Sequence, residues 1–288
     1  SFSAPNFQIN YRFLPKWEFV YLRSKTTNLL RRPIYTTVEA YYEPKILAVN
    51  YLSYQATEKL TISLFEGTIY SKGDSIVSKH ASPWMYNPIP LIGAFVVNKL
   101  EANSIIGVNI GYTAGNFARL YGQAAVNPRS SGFGGQLGVR FMEPFKITNL
   151  FLQLEGNYTS NKLYRSSNPR LNYSHFNLPL AHTKGESFAE VVVRANYEIK
   201  RFYTDLRVVY YSLMDYSSTS HLALYDVGPR ANNSIFFTNF ELGYRFNKKM
   251  NFSVFMNYLV RRDASTSQLT NYLNVGLKTS LINSYIDF

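Results

Sequence analysis

Apolar and polar side chains alternate along this chain with a period of two, in runs of about 10 to 13 residues. Between residues 186 and 197, Ser187, Ala189, Val191, Val193, Ala195 and Tyr197 fall on one side of an extended strand. Glu186, Phe188, Glu190, Val192, Arg194 and Asn196 fall on the other. Successive side chains of a strand point to opposite faces, so the first set can meet lipid and the second cannot. Residues 202–211 repeat the pattern, with Phe202, Thr204, Leu206, Val208 and Tyr210 opposing Tyr203, Asp205, Arg207, Val209 and Tyr211. Residues 236–246 and 251–260 do so again, separated by a tight turn at Asn247, Lys248 and Lys249.

Similar runs cover 5–13, 17–24, 44–55, 59–70, 104–113, 117–126, 133–143, 147–158 and 268–280. At roughly 3.3 Å per residue, about 12 residues tilted by about 45° cross the 25 Å apolar band of an outer membrane. Strands of soluble β-proteins average only about 5 to 6 residues. The pattern therefore predicts an all-β chain, a transmembrane antiparallel β-barrel of the bacterial outer membrane in one domain spanning 1–288. It has 13 strands, or 14 if residues 89–97 are included. That last segment holds Pro90 and does not alternate, so it is expected in the lumen or at the rim together with Asn87 and Pro88.

The connections alternate in length. Short turns fall at 14–16, 56–58, 114–116, 144–146, 199–200 and 247–249, and longer loops at 25–43, 71–87, 127–132, 159–185, 214–233 and 263–267. Barrels of this class keep short turns on the periplasmic side and long loops outside, which orients the chain. The rule holds throughout only if residues 89–97 are not a strand.

Composition agrees. The 288 residues include 24 Tyr and 21 Phe but no Cys, and mean hydropathy is −0.17, too polar on average for a helical membrane protein. No stretch reaches the roughly 18 to 20 apolar residues that a spanning helix needs. The chain ends in an aromatic strand with Tyr285 and a terminal Phe288, as outer-membrane barrels do. No signal peptide precedes Ser1, so further strands before it, or a partner chain, are expected to contribute to closure.

The formal charge is +12 and the isoelectric point 9.6. Basic residues concentrate in the long loops, among them Arg31, Arg32, Lys72, Lys79, Arg129, Lys162, Arg165, Arg170, Lys184, Arg230, Arg261 and Arg262. Their dispersal over membrane-embedded loops argues against nucleic acid. It suits anionic lipopolysaccharide, with an acidic surface polysaccharide as the functional alternative. On the lumen face, Glu190, Arg194, Asp205 and Arg207 are expected to form a ladder of opposite charges between neighbouring strands. A pore-selectivity role is the alternative for that ladder.

Enzyme chemistry finds little support. Ser174 and His175 are adjacent, so an extended backbone sends them to opposite sides and they cannot act as nucleophile and base. Asp215, His221 and Asp226 lack the second acidic pair of a rim protease. There is no Cys, no His pair at ligand spacing and no Gly-rich phosphate loop, so neither metal nor cofactor is expected.

The stretch 166–186 is unusually dense in Tyr, His, Phe and Asn for a surface loop, and is expected to be ordered. It carries Asn172-Tyr173-Ser174-His175-Phe176-Asn177, Leu180-Ala181-His182 and Gly185-Glu186-Ser187-Phe188. With Lys200-Arg201-Phe202-Tyr203, Tyr51-Leu52-Ser53-Tyr54, Leu64-Phe65-Glu66-Gly67, Leu120-Tyr121-Gly122-Gln123 and the ending from Gly276, it resembles the gliding-motility RemB family. More distantly it resembles the capsule-assembly Wzi family. The resemblance runs from about residue 44 to the end and lacks the family's N-terminal portion; Thr183 replaces the usual residue after His182. It implies a non-enzymatic barrel of about 18 strands, of which this chain is a part, serving surface polysaccharide attachment, gliding or adhesion. Lys162, Tyr164, Arg165, Arg170, Tyr173, His175, Phe176 and His182 are the expected ligand or partner contacts, by stacking, hydrogen bonding and charge. The alternatives are an accessory subunit docking other outer-membrane proteins or lipoproteins, and a passive porin.

Overall fold

A computed structural model of the chain describes residues 4–30, 41–71, 83–96, 102–214, 232–247 and 250–279. Eight strands come first: β1 (Asn6–Leu14), β2 (Trp17–Leu30), β3 (Tyr41–Gln55), β4 (Leu60–Ser71), β5 (Ala102–Ala114), β6 (Ala118–Asn127), β7 (Gly132–Met142) and β8 (Leu150–Thr159). A small hairpin of β9 (Ser174–His175) and β10 (Leu178–Pro179) intervenes. The wall resumes with β11 (Phe188–Ile199), β12 (Phe202–Leu213), β13 (Asn233–Asn247), β14 (Phe252–Asp263) and β15 (Gln268–Lys278). Among the described residues the wall is one 13-stranded antiparallel sheet in chain order, β8 lying beside β11 and β1 and β15 forming its edges. No helix among the described residues is long and apolar enough to cross a membrane; these spans are strands.

The alternation read from the sequence becomes two faces. Leu64, Ile110, Leu137, Leu154, Val191 and Phe240 are exposed on the outer face. Directly paired residues share a face, so the registers Leu154 with Val193 and Tyr210 with Val191 carry one apolar belt across the sheet. The inner face holds the polar residues, such as Gln153, Glu155 and Asn157 on β8.

Four inner-face glycines sit directly opposite an aromatic ring on the next strand: Phe65 with Gly107, Tyr121 with Gly138, Tyr203 with Gly243 and Phe255 with Gly276. A β-carbon on Gly107, Gly138 or Gly243 would overlap its partner ring. Each ring lies flat over the backbone that the glycine leaves bare, the covering of strand glycines by aromatic neighbours seen in curved sheets.

Of the two expected positions for residues 87–97, the lumen is corrected for the described part, 87–96. A 3-10 turn (Pro83–Tyr86) and a five-residue helix, α1 (Ile92–Val96), lie outside the wall, on the lipid side. Glu66 shows this: it pairs in register with Asn50 and Ile106, on the same face as Leu64 and Ile62, and its carboxylate accepts the Leu91 N–H at 2.8 Å. Arg23, on the same face, donates to the carbonyls of Met85 at 2.5 Å and Asn87 at 2.7 Å and to the Asn50 side chain at 3.1 Å. Gly93 lets α1 close on Glu66, whose carboxylate a β-carbon there would strike. Two charged groups on the lipid side would be costly bare. The segment buries them and presents Trp84, Tyr86, Ile89 and Phe95 in their place, the last 79% exposed.

Candidate functional site

Between β8 and β11 the chain does not form an excursion into solvent. It turns back and crosses the inner face toward β2. Leu163, Leu171 and Tyr173 pack on Ile69 and Ile105 of the inner wall, with Leu47, Phe65 and Ala125 around them. The Tyr173 hydroxyl donates to the Gly67 carbonyl, and the Asn103 amide donates to the Leu171 carbonyl at 3.1 Å. Burial pushes the Tyr173 phenol well above its ordinary pKa, and burial beside Glu186 raises that of Tyr164. Lys45, 1% exposed, reaches in from β3 and donates to the Asn172 carbonyl at 2.6 Å and the Ser174 hydroxyl at 3.1 Å.

The β9–β10 hairpin closes on Phe176 and Asn177, both in the left-handed region with φ of 48° and 62°. That is the backbone of a two-residue hairpin turn. Its tip pairs with β2 above the point where β1 stops. Phe176 N–H donates to the Thr27 carbonyl at 2.7 Å, Thr27 N–H to His175 Nδ1 at 3.1 Å, and the Asn177 amide brackets the Leu29 backbone. The free upper edge of β2 is thus covered by a segment that begins on the far side of the lumen.

The expected contact residues are brought together here, but for a different task. Tyr173 and His175 are buried, so the expectation that they are stacking platforms for a ligand is corrected: the wall uses both. The Phe176 ring packs edge-on against Tyr42, 5.8 Å between centroids. Arg165 pairs with Glu186 at 2.6 Å and Arg170 with Glu43 at 3.0 Å. His182 stacks on Phe188 at 4.3 Å; Lys184 N–H donates to its Nδ1, so Nε2 carries the proton and meets Glu190 at 3.2 Å. Lys162 is exposed, with Leu178 and Leu180. Ser174 and His175 serve Lys45 and Thr27 respectively.

The lumen ladder is corrected in its pairing. All four residues lie on the inner face, but Glu190 stands opposite Tyr211, and Arg194 stands directly opposite Arg207. Asp205 faces Asn196, which donates to it, and reaches Arg194 only diagonally at 3.9 Å. Nearer the short turns, the inner face opens into a cavity of about 810 Å³ lined by Asn196, Tyr203, Asp205, Glu241, Arg245 and Lys278, among others. Arg245 pairs with Glu198 at 2.8 Å, and Lys278 with Glu241. The cavity was not anticipated from sequence, although its charges sit at the inward positions of their strands. Arg31, Arg32, Lys72, Lys79, Asp215, His221, Asp226, Arg230, Tyr285 and Phe288, and most of the 214–233 loop, lie outside the described residues.

A one-sheet wall with an apolar outer belt, a polar interior and short turns at one end is the fold of an outer-membrane β-barrel. Solved structures share it. Wzi of Escherichia coli, an outer-membrane carbohydrate-binding β-barrel involved in group 1 capsule assembly, matches with a TM-score of 0.56 and 12% identity. The match takes in 91% of this chain and 53% of Wzi, so the chain spans about half of that protein's length. OpdQ of Pseudomonas aeruginosa matches at TM-score 0.52 and 10% identity, over 94% of this chain and 69% of that one. OprD of the same organism matches at 0.50 and 9%, over 94% and 70%. No protein-family model matches the chain, and no curated protein sequence does.

Proposed function

We propose that this chain is a non-enzymatic barrel resident in the outer membrane that holds polysaccharide at the cell surface. The observation that carries this is the segment 160–187, folded across the lumen and tied to β2, β3, β4 and β5 by hydrogen bonds. An ordered segment held against the inner wall suits a protein that grips a ligand better than one that passes solutes freely. The fold shared with a carbohydrate-binding barrel supports the same function. In this proposal the buried Tyr173 and His175, with His182, hold the segment in place, and the exposed Lys162 with the flanking Arg165 and Arg170 provides the positive surface that anionic sugars meet. Lipopolysaccharide and neighbouring outer-membrane proteins are the surroundings in which it works.

The test is made in the cell. Deleting the gene is expected to move surface polysaccharide from the cell-bound fraction to the medium, and complementation to return it. An unchanged cell-bound fraction would sink the proposal. Scoring gliding and adhesion in the same strain decides whether retention serves those processes.

A further inference from the structure

The strand registers align four arginines in a single transverse row of the inner face. Arg119 on β6 stands directly opposite Arg140 on β7, Arg140 opposite Gln153 on β8, Gln153 opposite Arg194 on β11, and Arg194 opposite Arg207 on β12. Asn239 on β13 continues the row. All four arginines are exposed. With neighbouring strands about 4.8 Å apart, the row from Arg119 to Arg207 extends over roughly 19 Å of wall.

Directly opposed like charges destabilise a sheet, and here two such pairs occur at one level. Of the acids beside them, Glu155 is engaged by other groups and Asp205 reaches Arg194 alone of the row, at a long distance. Glu155, one step toward the long loops, accepts from Tyr121 at 2.5 Å and from Gln153 and Asn157 at 3.1 and 2.9 Å. Asp205, one step toward the short turns, accepts from Asn196 and meets Arg194 at 3.9 Å. Arg140 lies over the Tyr121 ring at 4.8 Å. Row and folded-in segment occupy different heights: Arg119 is near the short-turn end of β6, whereas the segment meets Asn127 at its other end, roughly 26 Å along the strand.

We infer that this row is a binding site for a carboxylated oligosaccharide, engaged by guanidinium groups that match carboxylates in a bidentate fork. A row of this length suits an extended polyanion carrying several carboxylates better than a single small anion. Gln153 and Asn239 lie in line to receive hydroxyls. The site rests on the polysaccharide function proposed above and names its chemical class and its place, on the inner face nearer the short turns than the folded-in segment.

Titration calorimetry on the purified barrel in detergent tests it, with oligogalacturonate as the acidic probe and a maltooligosaccharide of equal length as the neutral one. Oligogalacturonate is expected to bind, and more weakly as salt rises. Arg194→Gln with Arg207→Gln, and Arg119→Gln with Arg140→Gln, are each expected to weaken it by about tenfold or more. The Arg194→Lys, Arg207→Lys pair, which keeps charge but loses the fork, should lose less. Because the variants relieve like-charge contacts, their thermal unfolding midpoints should hold or rise; a fall would mark the arginines as structural and overturn the site. Equal oligogalacturonate affinity in parent and Gln variants, stronger binding of the neutral probe, or no acidic binding at all also overturns it. None of these results touches the cell-bound fraction measured in the deletion strain, so the broader function stands or fails separately.

Discussion

At the scale of single residues, the inner-face glycines are the most exacting positions. Gly138 and Gly243 lie under Tyr121 and Tyr203, so Gly138→Ala or Gly243→Ala must displace a ring or the backbone beneath it. A loss of about 1–3 kcal/mol is expected, typical of overpacking, read as an earlier midpoint in urea unfolding from lipid vesicles. Gly156→Ala, with open space around its α-carbon, is the control and should change little. Tyr173 gives a pH dependence. Its phenol is held neutral by burial, so the folded pKa lies above the unfolded value of about 10. Below that unfolded value the group is neutral in both states and stability is unaffected. Above it only the unfolded chain ionises, so docking of the segment weakens as pH rises toward the folded pKa. Phenolate absorbance should show a late-titrating fraction of the tyrosines, and Tyr173→Phe should shrink it by one group.

The elements divide into those the sequence pattern displays and those it hides. Twelve of the 13 strands fall within three residues of their predicted bounds, because in a membrane wall every second side chain meets lipid and the alternation is enforced along the whole strand; β2 runs six residues further than expected, to Leu30, into the predicted loop. Register is not displayed. Arg194 opposite Arg207 follows from the tight turn at Lys200 and Arg201, and a shift of two residues would have placed Arg194 directly opposite Asp205, a pairing of opposite charges of the kind expected. The outer segment was hidden for another reason: Arg23 and Glu66 occupy outward positions, and only the chain covering them explains how such charges can stand there. The density of Tyr, His and Asn in 166–186 did announce an ordered segment, but not that its order comes from serving the wall. Lys45 is the test of that docking. Lys45→Met removes the donor to Asn172 and Ser174, and limited proteolysis of the folded barrel should then cut within 160–187 several times faster, with β-sheet circular dichroism unchanged.

For the whole molecule, the segment packed on the inner wall leads to an expectation of low permeability. Planar-bilayer recordings of the purified chain are expected to be silent, and Lys45→Met or Tyr173→Ala, which loosen the segment, to introduce flickering conductance. Steady open current from the parent would favour the porin alternative. The tethers also dictate an order of assembly. The segment lies between β8 and β11, yet its partners are Gly67, Lys45 and Thr27, 106, 127 and 148 residues away in the chain. Contacts so distant in sequence carry a high loop-closure cost and form late. The wall from β2 to β8 must therefore be standing before anything can dock within it, and the nascent barrel passes through a stage in which the inner face of β2–β5 is bare, covered only when residues 160–187 find their seat.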